Sequence, residues 1–155
     1  MDYDDDYPTC ERTRATLRIY PGTHAPEYVT RLLSIRPTST QCVGDQINKY
    51  RECTINGWFL TTEDAVDSLD SRRHIDWLLD KLDNKMHDLD GLRNDGGKID
   101  IACSWYSVSG HGGPTISPKQ SMRLANLGID LWFDVYFFPD DEVANDSSIS
   151  PEGAA

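Results

Sequence analysis

Three stretches of this chain alternate apolar and polar residues with a period of two, and no other feature restricts its fold as strongly. In residues 14–20, Ala15, Leu17 and Ile19 fall on one side and Arg14, Thr16, Arg18 and Tyr20 on the other. Residues 98–108 set Ile99, Ile101, Cys103 and Trp105 against Asp100, Ala102, Ser104 and Tyr106. Residues 129–138 set Ile129, Leu131, Phe133, Val135 and Phe137 against Asp130, Trp132, Asp134 and Tyr136. A strand turns successive side chains to opposite faces, so each stretch reads as a half-buried strand. The sheet they imply has one face on a core and one toward water.

Between the strands the apolar period lengthens. Pro26 opens a segment with Val29, Leu32 and Leu33 at helical spacing, and Pro37 after Arg36 closes it. From about Asp70 the residues Ile75, Leu78, Leu79, Leu82, Met86 and Leu89 form one stripe, which predicts a long helix ending before Gly96-Gly97. Ser117-Pro118-Lys119-Gln120 combines an N-cap serine, a proline at the first helical position and a glutamine in capping-box spacing, and Gly128 supplies the stop. Two β-prone runs, residues 50–55 and 58–62, flank Asn56-Gly57, a pair that favours a type I′ hairpin.

The resulting order, β-α-β-β-α-β-α-β, predicts an α+β fold. Its first six elements follow the ferredoxin-like pattern, extended by a helix and a strand, with a mostly antiparallel sheet and helices on one face. Residues 25–35 also align without gaps on residues 117–127, sharing the proline, the arginine and the first leucine. Duplication of a strand-loop-helix unit explains this echo, and so does the common need to start a helix after a strand.

The net charge of −11 is concentrated at the ends. Residues 1–12 hold five acids and one arginine, residues 139–155 hold five acids and no base, and the middle holds 16 acids against 14 bases. The reading is one domain over residues 13–138 between two acidic, solvated, disordered tails. A nearly neutral domain of this kind is neither a nucleic-acid mimic nor a nucleic-acid binder, for it lacks the basic surface that counterion release requires.

No apolar run is long enough to span a membrane, and the Met1-Asp2-Tyr3-Asp4-Asp5-Asp6 start has neither the basic flank nor the apolar stretch of a secretory signal. The expected location is therefore cytoplasmic, without membrane contact. Cys10, Cys42, Cys53 and Cys103 show no CxxC pair, which fits reduced structural thiols, and neither a metal nor another cofactor is expected.

The segments Ala15-Thr-Leu-Arg-Ile-Tyr20, Gly57-Trp58-Phe-Leu, His74-Ile-Asp-Trp-Leu-Leu79, Gly112-Gly-Pro-Thr-Ile-Ser-Pro118 and Leu127-Gly-Ile-Asp-Leu-Trp-Phe-Asp-Val-Tyr136 together resemble a bacterial family catalogued as a domain of unknown function, DUF family 4279. The resemblance covers about residues 13–138 and implies a class, with no activity to carry onto matched residues.

Candidate functional residues fall in three groups. Trp77 projects about 150° from the middle of the long helix's stripe, among Arg73, Asp80 and Lys81, and needs a cover from the chain or from a partner. The polar side of the strands gathers Arg14, Arg18 and Tyr20 with Asp100, Ser104, Tyr106, Asp130, Trp132, Asp134 and Tyr136, where arginines and aspartates can pair across strands. Trp132, Tyr136 and Tyr106 are its partner-binding candidates.

The loop from Ser107 to Thr115 offers Gly112, Gly113 and His111, with Tyr106, as ligand contacts, but has no Lys-Ser/Thr of a P-loop. The pairs Asp83/His87 and Asp130/Asp134 have the spacing of a metal pair and of a glycosidase acid pair, and solvated surface pairing describes both better.

No nucleophile-base order emerges. The expectation is a non-enzymatic protein-interaction module, of which an immunity- or antitoxin-like inhibitor is one concrete form, with an unidentified protein or a second copy as partner. The alternative is a small-molecule-binding protein or weak enzyme that uses the loop around His111.

Overall fold

A computed structural model describes residues 1–137 of the chain. In chain order the elements are β1 (Cys10–Tyr20), α1 (Pro26–Leu33), β2 (Ser39–Gln41), β3 (Gln46–Asn48), β4 (Arg51–Glu52), β5 (Gly57–Thr61), α2 (Ser71–Lys81), α3 (Met86–Asn94), β6 (Lys98–Ser107), α4 (Pro118–Leu127) and β7 (Asp130–Tyr136). Phe138 and the acidic stretch 139–155 lie outside the described residues.

The fold is α+β. Five strands form a sheet in the order β2-β5-β1-β6-β7, and β3 pairs with β4 in a separate two-stranded flap. Within the large sheet β7 runs parallel to β6, across the α4 connection, and the other three pairs are antiparallel. The alternation is realised as expected in β1 and β6, whose Ala15, Leu17, Ile19, Ile101 and Cys103 are completely buried. These residues share one core with Val29 and Leu33 of α1, Ile75, Leu78 and Leu79 of α2, Leu89 and Leu92 of α3, and Leu124 of α4. All four helices therefore cover one face of the sheet, which leaves the polar face of the strands open.

The helix ends follow local chemistry. Ser117 accepts from the Gln120 amide at 3.1 Å while the Gln120 side chain accepts from the Ser117 amide at 3.0 Å, completing the capping box, and Gly128 closes α4 in the left-handed region. Replacing Ser117 with alanine is expected to cost about 1 kcal/mol in a urea melt, the usual value of an N-cap. In the matching segment α1 also begins on a proline and ends on a left-handed residue, Ser34, but lacks a capping side chain.

Three expectations are corrected. Asn56-Gly57 does not make a hairpin: β5 pairs with β1 and β2, while β4 turns back onto β3. The Asn56 side chain instead ties the flap down, accepting from the Val43 amide at 2.9 Å and donating to the His24 carbonyl at 3.0 Å. At Gly57 the Phe59 ring lies 2.5 Å from where a Cβ would stand, so a larger residue there must displace that ring.

The long helix is broken into α2 and α3, with Asn84 at φ 64 between them. Asp83-Asn84 is a poor helix interior because both side chains compete for local backbone groups, and asparagine tolerates the left-handed conformation. The break keeps Leu82 and Leu89 buried but leaves Met86 exposed.

The acidic N-terminal segment, expected as a solvated tail, is laid along α2. Asp5 pairs bidentately with Arg73 at 2.7 and 2.9 Å, the Asp4 amide donates to Asp70 at 2.8 Å, and the Tyr3 hydroxyl donates to Asp76 at 2.7 Å. Composition alone misses this because the counter-charges lie about seventy residues away in sequence.

Candidate functional site: the open sheet face and the Trp77 clefts

The sequence-derived site residues divide between opposite sides of the sheet. Tyr106, Trp132 and Tyr136 are on the open face, Arg73, Trp77 and Lys81 are on the helix layer, and His111, Gly112 and Gly113 are in the loop after β6. No single site unites them.

On the open face, register fixes the neighbours. Arg12 stands opposite Tyr106, and Tyr106 opposite Tyr136. The two tyrosine rings stack at 4.4 Å and 7°, and the Arg12 guanidinium lies 4.1 Å from the Tyr106 ring on its other side. The Tyr136 hydroxyl donates to Asp134 at 2.6 Å, so Asp134 serves to hold a phenol and is no free member of an acid pair.

Further along, Arg18 grips Asp100 on the opposite rung through Nε and Nη2 at 2.6 and 2.8 Å and stands 5.2 Å from the Trp132 ring. The expected cross-strand pairing is thus present at Arg18, whereas Arg14 turns to Glu63 at 2.7 Å. Trp132 stays 51% exposed because its rung neighbour is Ala102 and its strand is the sheet edge. Thr61, Thr16 and Ala102, on successive strands of that same rung, form a shallow floor.

At its other end the face runs into an apolar pocket of about 370 Å³ lined by Tyr20, Gly22, Ile55, Asn56, Gly96 and Lys98. Val43, Ile47 and Ile55 are exposed on the flap segment, and Tyr50 is 85% exposed. The sequence pattern hides Tyr50 and Ile55 because residues 50–55 read as the first arm of an Asn56-Gly57 hairpin. The turn-prone Asn48-Lys49-Tyr50 was the available signal.

On the helix layer Trp77 is half-buried, packed against the core and capped by the Lys81 ammonium at 4.2 Å from its ring. It separates two clefts. One, of about 430 Å³, is lined by Asp5, Ala65, Val66, Asp67, Arg73 and Trp77. The other, of about 470 Å³, is bordered by Leu33, Arg36, Leu60, Trp77, Lys81 and Lys85.

The glycine loop is tied up by the chain itself. Tyr7 donates to the Gly113 carbonyl at 3.1 Å, Ser107 donates to the His111 carbonyl at 2.8 Å and receives the Gly110 amide at 2.9 Å, and Ser109 meets His111 Nδ1 at 2.7 Å. Gly112, at φ 90, has the Thr9 side chain 2.5 Å from the position of a Cβ. Gly110 and Gly112 answer to a left-handed backbone, and Gly112 to close packing as well, whereas Gly113 has open space where a Cβ would stand.

Asp83 and His87 fall on opposite sides of the helix break, and Asp83 accepts from Arg123 at 3.1 Å. Burial pushes the thiols of Cys10 and Cys103 up to about 11, which keeps both protonated and poorly nucleophilic.

The family profile described as Domain of unknown function (DUF4279) matches residues 11–138, from the second residue of β1 to just past β7. The chain belongs to the DUF4279 family. The DUF4279 region thus contains every strand of the sheet and all four helices, while the acidic run that lies on α2 precedes it. No curated protein and no solved structure matches the chain. No helix among the described residues of this DUF4279 protein is long and apolar enough to cross a membrane.

Proposed function

We propose that this DUF4279 protein is a protein-interaction module that docks a folded partner on the open face of its sheet, in the manner of an immunity or antitoxin-like inhibitor. The carrying observation is the ordered Arg12-Tyr106-Tyr136 stack beside the exposed Trp132 and the Arg18-Asp100 pair. Tyrosine, tryptophan and arginine are the residue types that dominate binding energy at interfaces. Cross-strand packing already fixes these side chains, so less conformational entropy is lost when a partner covers them.

The test is affinity capture from a lysate of the native host, using the intact chain, a Trp132→Ala/Tyr136→Ala double variant and a Trp77→Ala variant, read by mass spectrometry. One protein retained by the intact chain and by Trp77→Ala, but depleted at least about tenfold by the double variant, supports the reading, since a single hot-spot truncation costs about 2 kcal/mol or more. Equal recovery of every captured protein by the intact chain and a correctly folded double variant overturns it.

A further inference from the structure

The helix layer carries a second surface, independent of the open sheet face. Acids outnumber bases by 26 to 15 in this chain, yet Arg36, Lys81 and Lys85 converge on one cleft. None of the three has a carboxylate partner among the described residues. The floor between them is apolar and aromatic, made of the partly buried Trp77 and Ile35 over the buried Leu33 and Leu60. Lys81 stays over the indole and near the negative end of α2, which places its charge at the cleft mouth.

The cleft on the other side of Trp77 shows what this helix face can hold. There the chain's own acidic N-terminal segment supplies Asp5 to Arg73 at 2.7 Å, and the Tyr3 ring lies 4.2 Å from the same guanidinium. An acidic stretch with an aromatic side chain is therefore already bound by α2 beside Trp77, through Arg73 and Asp76.

We propose that the cleft bounded by Arg36, Trp77, Lys81 and Lys85 binds an acidic peptide segment of another protein. A large apolar side chain of that segment rests on Trp77 and Ile35, and flanking carboxylates meet the three cations. Exposed ion pairs are individually weak and screened by salt, so the apolar anchor sets the affinity and the cations set selectivity.

The experiment uses the full chain and a fluorescein-labelled hexapeptide, Asp-Glu-Phe-Leu-Asp-Glu. Its controls are the same peptide with every acid replaced by its amide, and inorganic phosphate alone. Binding is read by anisotropy and by the shift of the Trp77 indole N–H in NMR spectra. The expected result is saturable binding that moves the Trp77 signal and weakens about tenfold in Lys81→Gln/Lys85→Gln, as for the loss of two exposed pairs. It weakens likewise in about 1 M salt, where the screening length is about 3 Å, and is unchanged in Trp132→Ala.

Lys85→Gln alone, a change at a half-buried position whose side chain does not cap α3, gives a smaller loss in the same direction and guards against misfolding of the double variant. Equal binding of the neutral peptide, absence of any Trp77 shift, or displacement of the peptide by phosphate at equal concentration overturns the proposal.

Discussion

Replacing His74 with alanine is expected to lower the stability of the domain by roughly 2–4 kcal/mol, the combined scale of a core truncation and stranded polar groups. His74 is 1% exposed, within the apolar stripe of α2. The Ser68 carbonyl can only accept, so Nε2 carries the proton and donates to it at 2.9 Å. Nδ1 then accepts from the Thr62 hydroxyl at 2.6 Å, and the Thr62 oxygen in turn accepts from the Ala15 amide at 2.9 Å. The chain from Ala15 through Thr62 and His74 to Ser68 joins the central strand β1 to the segment leading into α2. Alanine would leave the Thr62 hydroxyl and the Ser68 carbonyl without these partners beside a void.

The same histidine gives the domain an acid limit. Burial lowers its proton affinity below the ordinary histidine value, against an opposing push from the Ser68 hydrogen bond. The unfolded chain therefore binds a proton at a higher pH than the folded chain does. The stabilisation from keeping His74 neutral is complete above about pH 6.5 and is lost as pH falls through and below that value toward the lowered folded pKa. Chemical melts between pH 8 and pH 5 should show a declining midpoint in the intact chain and a flatter profile in His74→Gln. An identical slope in both proteins would remove His74 from the account.

The parts legible in the sequence are those decided by neighbours along the chain. Alternation alone put Tyr106, Trp132 and Tyr136 on the same side of their strands, and the Ser117 capping box and Gly128 stop needed nothing beyond residues 117–128. What escaped depends on contacts across long separations. Gly57 resembles a turn residue until the Phe59 ring and the β2 partner are in place. Arg36 and Lys85 have no visible relation to Trp77 until α1 is laid beside α2 and the helix breaks at Asn84. The acids of residues 2–6 look merely solubilising because Asp70, Arg72, Arg73 and Asp76, which organise them, occur so much later. His74 was legible in principle, since it stands four residues before Leu78 and eight before Leu82, on the inward side.

The acidic start of the chain yields the second large effect. Replacing Asp70 with alanine is expected to lower stability by about 2–4 kcal/mol and to expose residues 1–9 to proteolysis. Asp70 is 1% exposed and performs three tasks: it caps α2 through the Arg72 amide at 3.0 Å, pairs with the Arg72 guanidinium at 2.6 Å, and accepts from the Asp4 amide at 2.8 Å. An N-cap contributes about 1 kcal/mol, and removing one partner of a buried pair costs about 3–5 kcal/mol when the other charge stays buried. Arg72 is partly exposed and can turn to solvent, which puts the sum below the upper end of that range.

Burial favours the neutral acid, but the Arg72 side chain and the amides of Asp4 and Arg72 outweigh it and hold the Asp70 carboxyl below the usual carboxylate range. Its contribution is therefore complete above about pH 4 and lost as pH falls further through the lowered folded value. Asp70→Asn preserves shape and one acceptor, so it should retain part of the cap while losing the charge pair. A cleavage rate within residues 1–9 that rises in Asp70→Ala, with a smaller rise in Asp70→Asn, would show that this carboxylate holds the acidic segment in place. Equal protection in the intact chain and Asp70→Ala would show that the Asp5-Arg73 and Tyr3-Asp76 contacts suffice without it.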